Sequence, residues 1–168
     1  MADPLVTLIM RLRRIINDPL DGATVVFDDA ELEAFLDGHA LAFENLALTA
    51  ETTTTFITSY GNWADDVAFA DGAGVALTPI SGSNLAGRWV FASAPSAVFI
   101  TGRTYDLHSA AADAFEEWAA KLALSFDFTA DGATYHLSQR RASLLQAASE
   151  QRAAARPIVA LWVRTDLA

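Results

Sequence analysis

Leu5, Leu8, Ile9, Leu12, Ile15 and Ile16 recur at three- and four-residue spacing. Arg11, Arg13 and Arg14 lie between them, so residues 4–17 read as an amphipathic helix. Pro4 suits its first turn, and Asn17-Asp-Pro-Leu-Asp-Gly22 is dense enough in turn formers to stop it. A second helix is expected over residues 28–44. Asp28 is its N-cap, Glu31 completes a capping box, and Leu32, Phe35, Leu36, His39, Ala40 and Phe43 form one face.

From about Thr52 the period changes to two, and β-branched and aromatic residues take over. The expected strands are residues 53–60, 66–70, 74–78, 87–91 and 98–101, punctuated by turns such as Asp71-Gly72 and Gly82-Ser-Asn84. The segments 66–70 and 74–78 make the clearest hairpin. The helical period returns at Thr104, where Leu107, Ala111, Ala114, Phe115, Trp118, Ala119 and Leu122 trace a stripe. Residues 125–129 and 133–137 alternate around Asp131-Gly132 as a short hairpin, and a last helix covers residues 138–155, ended by Pro157. The pattern is α+β: a small antiparallel bundle of about four helices from residues 1–51 and 104–156, an inserted antiparallel β module at 52–103, and an extended C-terminal tail at 157–168.

The tail changes the picture most. As a strand, Ile158, Ala160, Trp162 and Arg164 point to one side and Val159, Leu161 and Val163 to the other, so both faces are largely apolar. Such a segment aggregates unless covered. The expectation is that Ile158, Val159, Leu161, Trp162, Val163 and Arg164 add as a strand to a partner, with a return to the chain's own domain as the alternative.

The net charge of −10 argues against a protein that grips duplex nucleic acid. Its distribution says more than its sum. Between Arg14 and Arg88 the chain carries acids from Asp18 to Asp71 and no lysine or arginine, whereas after Thr134 Arg140, Arg141, Arg152, Arg156 and Arg164 face only Glu150 and Asp166. The expectation is that a molecule polarised in this way binds copies of itself head to tail, with Asp28, Asp29, Glu31 and Glu33 against Arg140, Arg141, Arg152 and Arg156. Two solvated faces are the alternative.

Candidate chemistry is sparse. With no cysteine, thiolate catalysis, disulfides and cysteine-held metals are excluded. His39, His108 and His136 fall on different elements, the carboxylate pairs are adjacent and diverge, and Gly72-Ala-Gly74 lacks the spacing of a phosphate loop. Asp127 to Gly132 lacks the later carboxylates of a calcium loop. Neither an enzyme nor a bound metal or cofactor is expected. The opening residues lack the charge order of a secretory signal, and no run approaches the roughly 20 apolar residues of a membrane span.

Leu8 to Asn17, Phe27-Asp-Asp-Ala-Glu-Leu32, Tyr105 to Ala119, Phe126 to Gly132 and the helix from Gln139 to Arg156 together resemble the head-tail connector, or adaptor, proteins of tailed bacteriophages. The resemblance implies a small helical structural protein of the virion neck, assembled in the host cytoplasm. It would form a ring, usually twelve-fold, beneath the portal protein, extend the DNA channel without reading sequence, and present a surface to the next neck or tail protein. In that setting the tail docks on the portal or a neighbouring subunit. The β module departs from the minimal helical pattern. Rival expectations are another neck or tail-completion (stopper) ring, or a ligand-binding module that stacks its ligand on Tyr60, Trp63 and Trp89.

Overall fold

A computed structural model describes residues 4–18, 25–123, 128–130, 133–135 and 137–155. Among them the fold is mixed, with four helices, two four-stranded antiparallel sheets and a two-stranded hairpin.

Helix α1 spans Pro4–Ile16 and buries Leu8, Ile9, Leu12 and Ile16, the stripe its spacing dictates. It stops where Asn17 takes a left-handed φ of 55°, a conformation that asparagine tolerates at a helix end. Helix α2 spans Asp29–Gly38 and opens with the expected capping box: the Asp28 carboxylate accepts from the Glu31 amide and the Glu31 carboxylate from the Asp28 amide, each at 2.8 Å. The helix does not reach residue 44. Gly38 weakens it, the His39 amide closes it on Leu36 O, and Ala40–Ala47 continues as strand β1.

Helix α3 (Leu107–Ala123) is the central helix, and α1, α2 and helix α4 (Leu137–Ala154) all pack on it. Ala110, Ala111 and Ala114 are fully buried, so small side chains let its neighbours approach closely. Phe27 fills the space between α2 and α3, edge-on to Phe35 and Trp118 at centroid distances of 5.5 and 6.4 Å.

The strands after β1 are β2 (Thr49–Ala50), β3 (Thr55–Ile57), β4 (Ala68–Asp71), β5 (Ala76–Leu77), β6 (Pro79–Ser83), β7 (Arg88–Phe91) and β8 (Val98–Tyr105). One sheet runs β1-β8-β4-β5 and the other β2-β3-β7-β6. The chain passes between sheets across single residues, Leu48 after β1 and Thr78 after β5, so the sheets meet at corners rather than through long loops. Aromatic side chains fill the space between them: the Phe69 ring on β4 lies 5.1 Å from Trp89 and 5.6 Å from Phe91 on β7. The hairpin of β4 and β5 forms as expected, with Phe69 opposite Leu77. The β region, however, extends from Ala40 to Tyr105, so the boundaries drawn at 52 and 103 are not structural ones. Phe43, assigned to a helix face, instead packs its ring 5.6 Å from Trp63.

Strands β9 (Phe128–Ala130) and β10 (Ala133–Tyr135) pair as the second expected hairpin. The tail 157–168, Arg156 and His136 lie outside the described residues.

Candidate functional site

Arg13 is the one charged residue on the apolar face of α1, and its side chain is only 6% exposed. Its guanidinium donates to Asp18 at 2.8 Å, to Asp29 at 2.7 Å and to the Phe27 carbonyl at 2.9 Å. Asp18, whose side chain is 0% exposed, also accepts from the Val26 and Phe27 amides at 2.9 and 3.2 Å. The pair therefore ties the end of α1 to the start of α2. It is a structural clasp. Arg13 stands four residues after Ile9, within the apolar stripe, but Arg11 and Arg14 beside it make it read as surface charge.

A second network joins helices at the surface. His39 Nε2 lies 2.7 Å from Asp113 Oδ2 on α3, and Arg152 on α4 donates to Asp113 at 2.9 Å and to Glu116 at 3.1 Å. Its hydrogen bonds to Glu116, with the charges of Glu116 and Asp113 beside it, hold the Arg152 guanidinium above its ordinary pKa. Lys121 on α3 reaches Glu31 on α2 at 3.2 Å and lies 4.3 Å above the Phe27 ring. Partial burial pulls the Lys121 pKa down, but its bonds to Glu31 and Glu117 outweigh this and leave it raised. No group of three or more metal-ligating side chains converges among the described residues.

These contacts sort the residues expected at a subunit interface. Asp28 caps α2, Asp29 holds Arg13, and Glu31 holds Lys121. Arg152 is engaged by α3, and the Arg140 guanidinium stacks 5.4 Å from the Trp118 ring. Glu33 and Asp37, one turn apart on the exposed side of α2, and Arg141, exposed on α4, form no ion pair among the described residues. Helices α2 and α4 pack on α3 rather than on each other. The unpaired acids and the unpaired arginine therefore belong to separate helices.

Two concavities accompany these surfaces. A cleft of about 460 Å³ lies where Arg11, Asn62, Leu85, Asp106, His108 and Ala154 meet, at the end of α4. Arg11 donates to Asn62 across it, and burial raises the pKa of Tyr105 in its wall. A groove of about 620 Å³ opens between the sheets, floored by Phe69, Leu77 and Trp89 and rimmed by Pro79 to Gly82. The expected stacking platform is absent. Trp63 is 0% exposed and Trp89 2% exposed, and their indole N–H groups are bonded to Tyr60 O and Asn84 Oδ1 at 2.9 Å.

No family model matches the chain, and no curated protein or solved structure matches it.

Proposed function

We propose that the chain is a structural protein of a tailed-bacteriophage neck, a head-tail connector that forms a ring beneath the portal and extends the DNA channel. The observation that carries this reading is the separation of exposed charge that forms no ion pair among the described residues: Glu33 and Asp37 on α2, Arg141 on α4, with both helices packed on α3. A subunit carrying complementary charge on separate helices suits a heterologous contact, and such a contact closes into a ring when its rotation fits. In this reading the four helices are the connector core, the two sheets are a module carried on it, and twelve copies match the portal. The acidic balance of the chain suits a channel wall that repels phosphate, so DNA slides without being read. On assembly the segment 158–163 passes to the portal, and the opposite rim receives the next neck protein.

Charge reversal tests the contact. Arg141→Glu, far from the core, leaves the subunit folded but abolishes ring formation in sedimentation velocity and electron microscopy with the portal. Adding Glu33→Arg and Asp37→Arg restores the ring. A ring that forms equally well with Arg141→Glu alone overturns the assigned contact.

A further inference from the structure

Strand β6 is the edge of its sheet: it pairs with β7 on one side and with no other strand among the described residues. Its sequence, Pro-Ile-Ser-Gly-Ser, carries no charge, and Ile80 is 66% exposed at the register shift. An uncharged edge with an exposed isoleucine is the kind that proteins ordinarily cover. Beside it the groove of about 620 Å³ has an aromatic floor, within the size range of ligand-binding clefts. Gly82 leaves the rim low. A Cβ at Gly82 would lie 2.5 Å from Trp89 Cδ1, so the indole is pressed against the strand backbone, and Trp89 is among the residues that line the groove.

The position of the end of α4 says what covers this edge. Ala154 lines the same cleft as Leu85, which stands in the turn joining β6 to β7. The chain therefore leaves α4 at the cleft that the turn after Ser83 also lines. Three residues from Ala155 reach Ile158, a span of at most about 10 Å. From there, six residues of strand cover about 20 Å, against about 17 Å for the five of β6. The segment Ile158-Val-Ala-Leu-Trp-Val163 is apolar on both faces, as a strand needs to be when one side enters a groove and the other lies over Ile80. A tether this short also gives the chain's own segment a millimolar-range effective concentration at its own edge.

We infer that in the free subunit residues 158–163 add to the chain's own β6 as an outer strand antiparallel to it, with Trp162 seated in the groove over Leu77 and Trp89. The sheet then runs β2-β3-β7-β6 followed by the C-terminal segment. This goes beyond the connector reading and stands or falls separately from it, because it concerns the free chain and needs neither portal nor ring.

The absence of cysteine makes the test direct. Ser81→Cys is combined in turn with Val159→Cys, Ala160→Cys and Leu161→Cys in the full chain, and the dilute protein is oxidised and read by intact mass and non-reducing electrophoresis. The expected result is an intramolecular disulfide in at least one register, formed at a rate independent of protein concentration. Ala142→Cys on the outer side of α4, with the same partners, gives none. In parallel, the backbone amides of β6 exchange at least about tenfold faster in a chain ending at Ala155 than in the full chain. Absence of an intramolecular bridge in every register overturns the proposal. So does bridging only between two copies, which would make the contact an exchange between subunits. If the shortened chain does not fold, the disulfide result decides alone.

Discussion

Replacing Asp18 with alanine should cost far more than its place in a turn suggests. The carboxylate is 0% exposed and accepts three N–H groups, from Arg13 at 2.8 Å, Val26 at 2.9 Å and Phe27 at 3.2 Å. Alanine leaves the Arg13 guanidinium buried and strips two backbone donors of their acceptor. Breaking a buried pair by removing one partner typically costs about 3–5 kcal/mol. Asp29 still compensates part of the charge at 2.7 Å, but from a side chain that is 71% exposed, which places the expected cost near the lower end, about 3 kcal/mol. For a domain of this size that lowers the midpoint of thermal unfolding by about 6–12 °C. Urea unfolding followed by far-UV circular dichroism measures the loss, and Asp18→Asn, which keeps one acceptor, should lose about 1–3 kcal/mol. In a double-mutant cycle with Arg13→Met the two sites should couple by more than about 1 kcal/mol. A loss below about 1 kcal/mol for Asp18→Ala at unchanged denaturant slope is the value of an exposed pair, and would refute the clasp.

Three further outcomes follow from the same geometry. Gly82→Ala should destabilise by about 1–3 kcal/mol by overpacking Trp89, whereas Gly72→Ala, whose Cβ meets nothing nearer than 3.9 Å, should be near neutral in the same urea titration. Burial raises the Tyr105 pKa above 10.0, and the carboxylate partners of Lys121 raise that pKa above 10.5 despite its burial. The unfolded chain therefore loses these protons first, so their stabilisation is complete below about pH 10 and falls as pH rises further; Tyr105→Phe should flatten the unfolding free energy over that range. Arg152→Ala, which removes a half-exposed cation from Asp113 and Glu116, should cost no more than about 1 kcal/mol, checked by thermal melts at low and high salt.

Much of the helical framework was legible because its pattern is local. The apolar stripe of α1, the capping box at Asp28 and the alanine face of α3 lie where spacing places them, and α4 spans Leu137–Ala154 against an expected 138–155. The second helix ends at Gly38, short of the expected residue 44, although Ala40 and Phe43 continue its three- and four-residue spacing. What ends it is Gly38 together with a pairing to β8 some sixty residues away, Ala40 opposite Tyr105, and periodicity carries no trace of a distant partner. Strand β6 was missed for a related reason: Pro-Ile-Ser-Gly-Ser reads as a loop, and only β7 opposite makes it a strand. The clasp was hidden because Arg13 counts as surface charge and Asp18 as a turn former until the Phe27 carbonyl and amide are seen between them. Charge polarity was visible in the distribution along the chain, but which of the expected interface groups are engaged within the subunit and which, such as Glu33 and Arg141, form no ion pair among the described residues required the contacts. The tail lies outside the described residues.

Negative-stain electron microscopy of the purified protein mixed with the portal encoded by the same genome tests the connector reading most directly. A second ring of density seated beneath the portal, in register with its subunits and lost on Arg141→Glu, is the predicted result. Portal rings that stay bare at saturating protein, with the protein remaining a folded monomer, would contradict it.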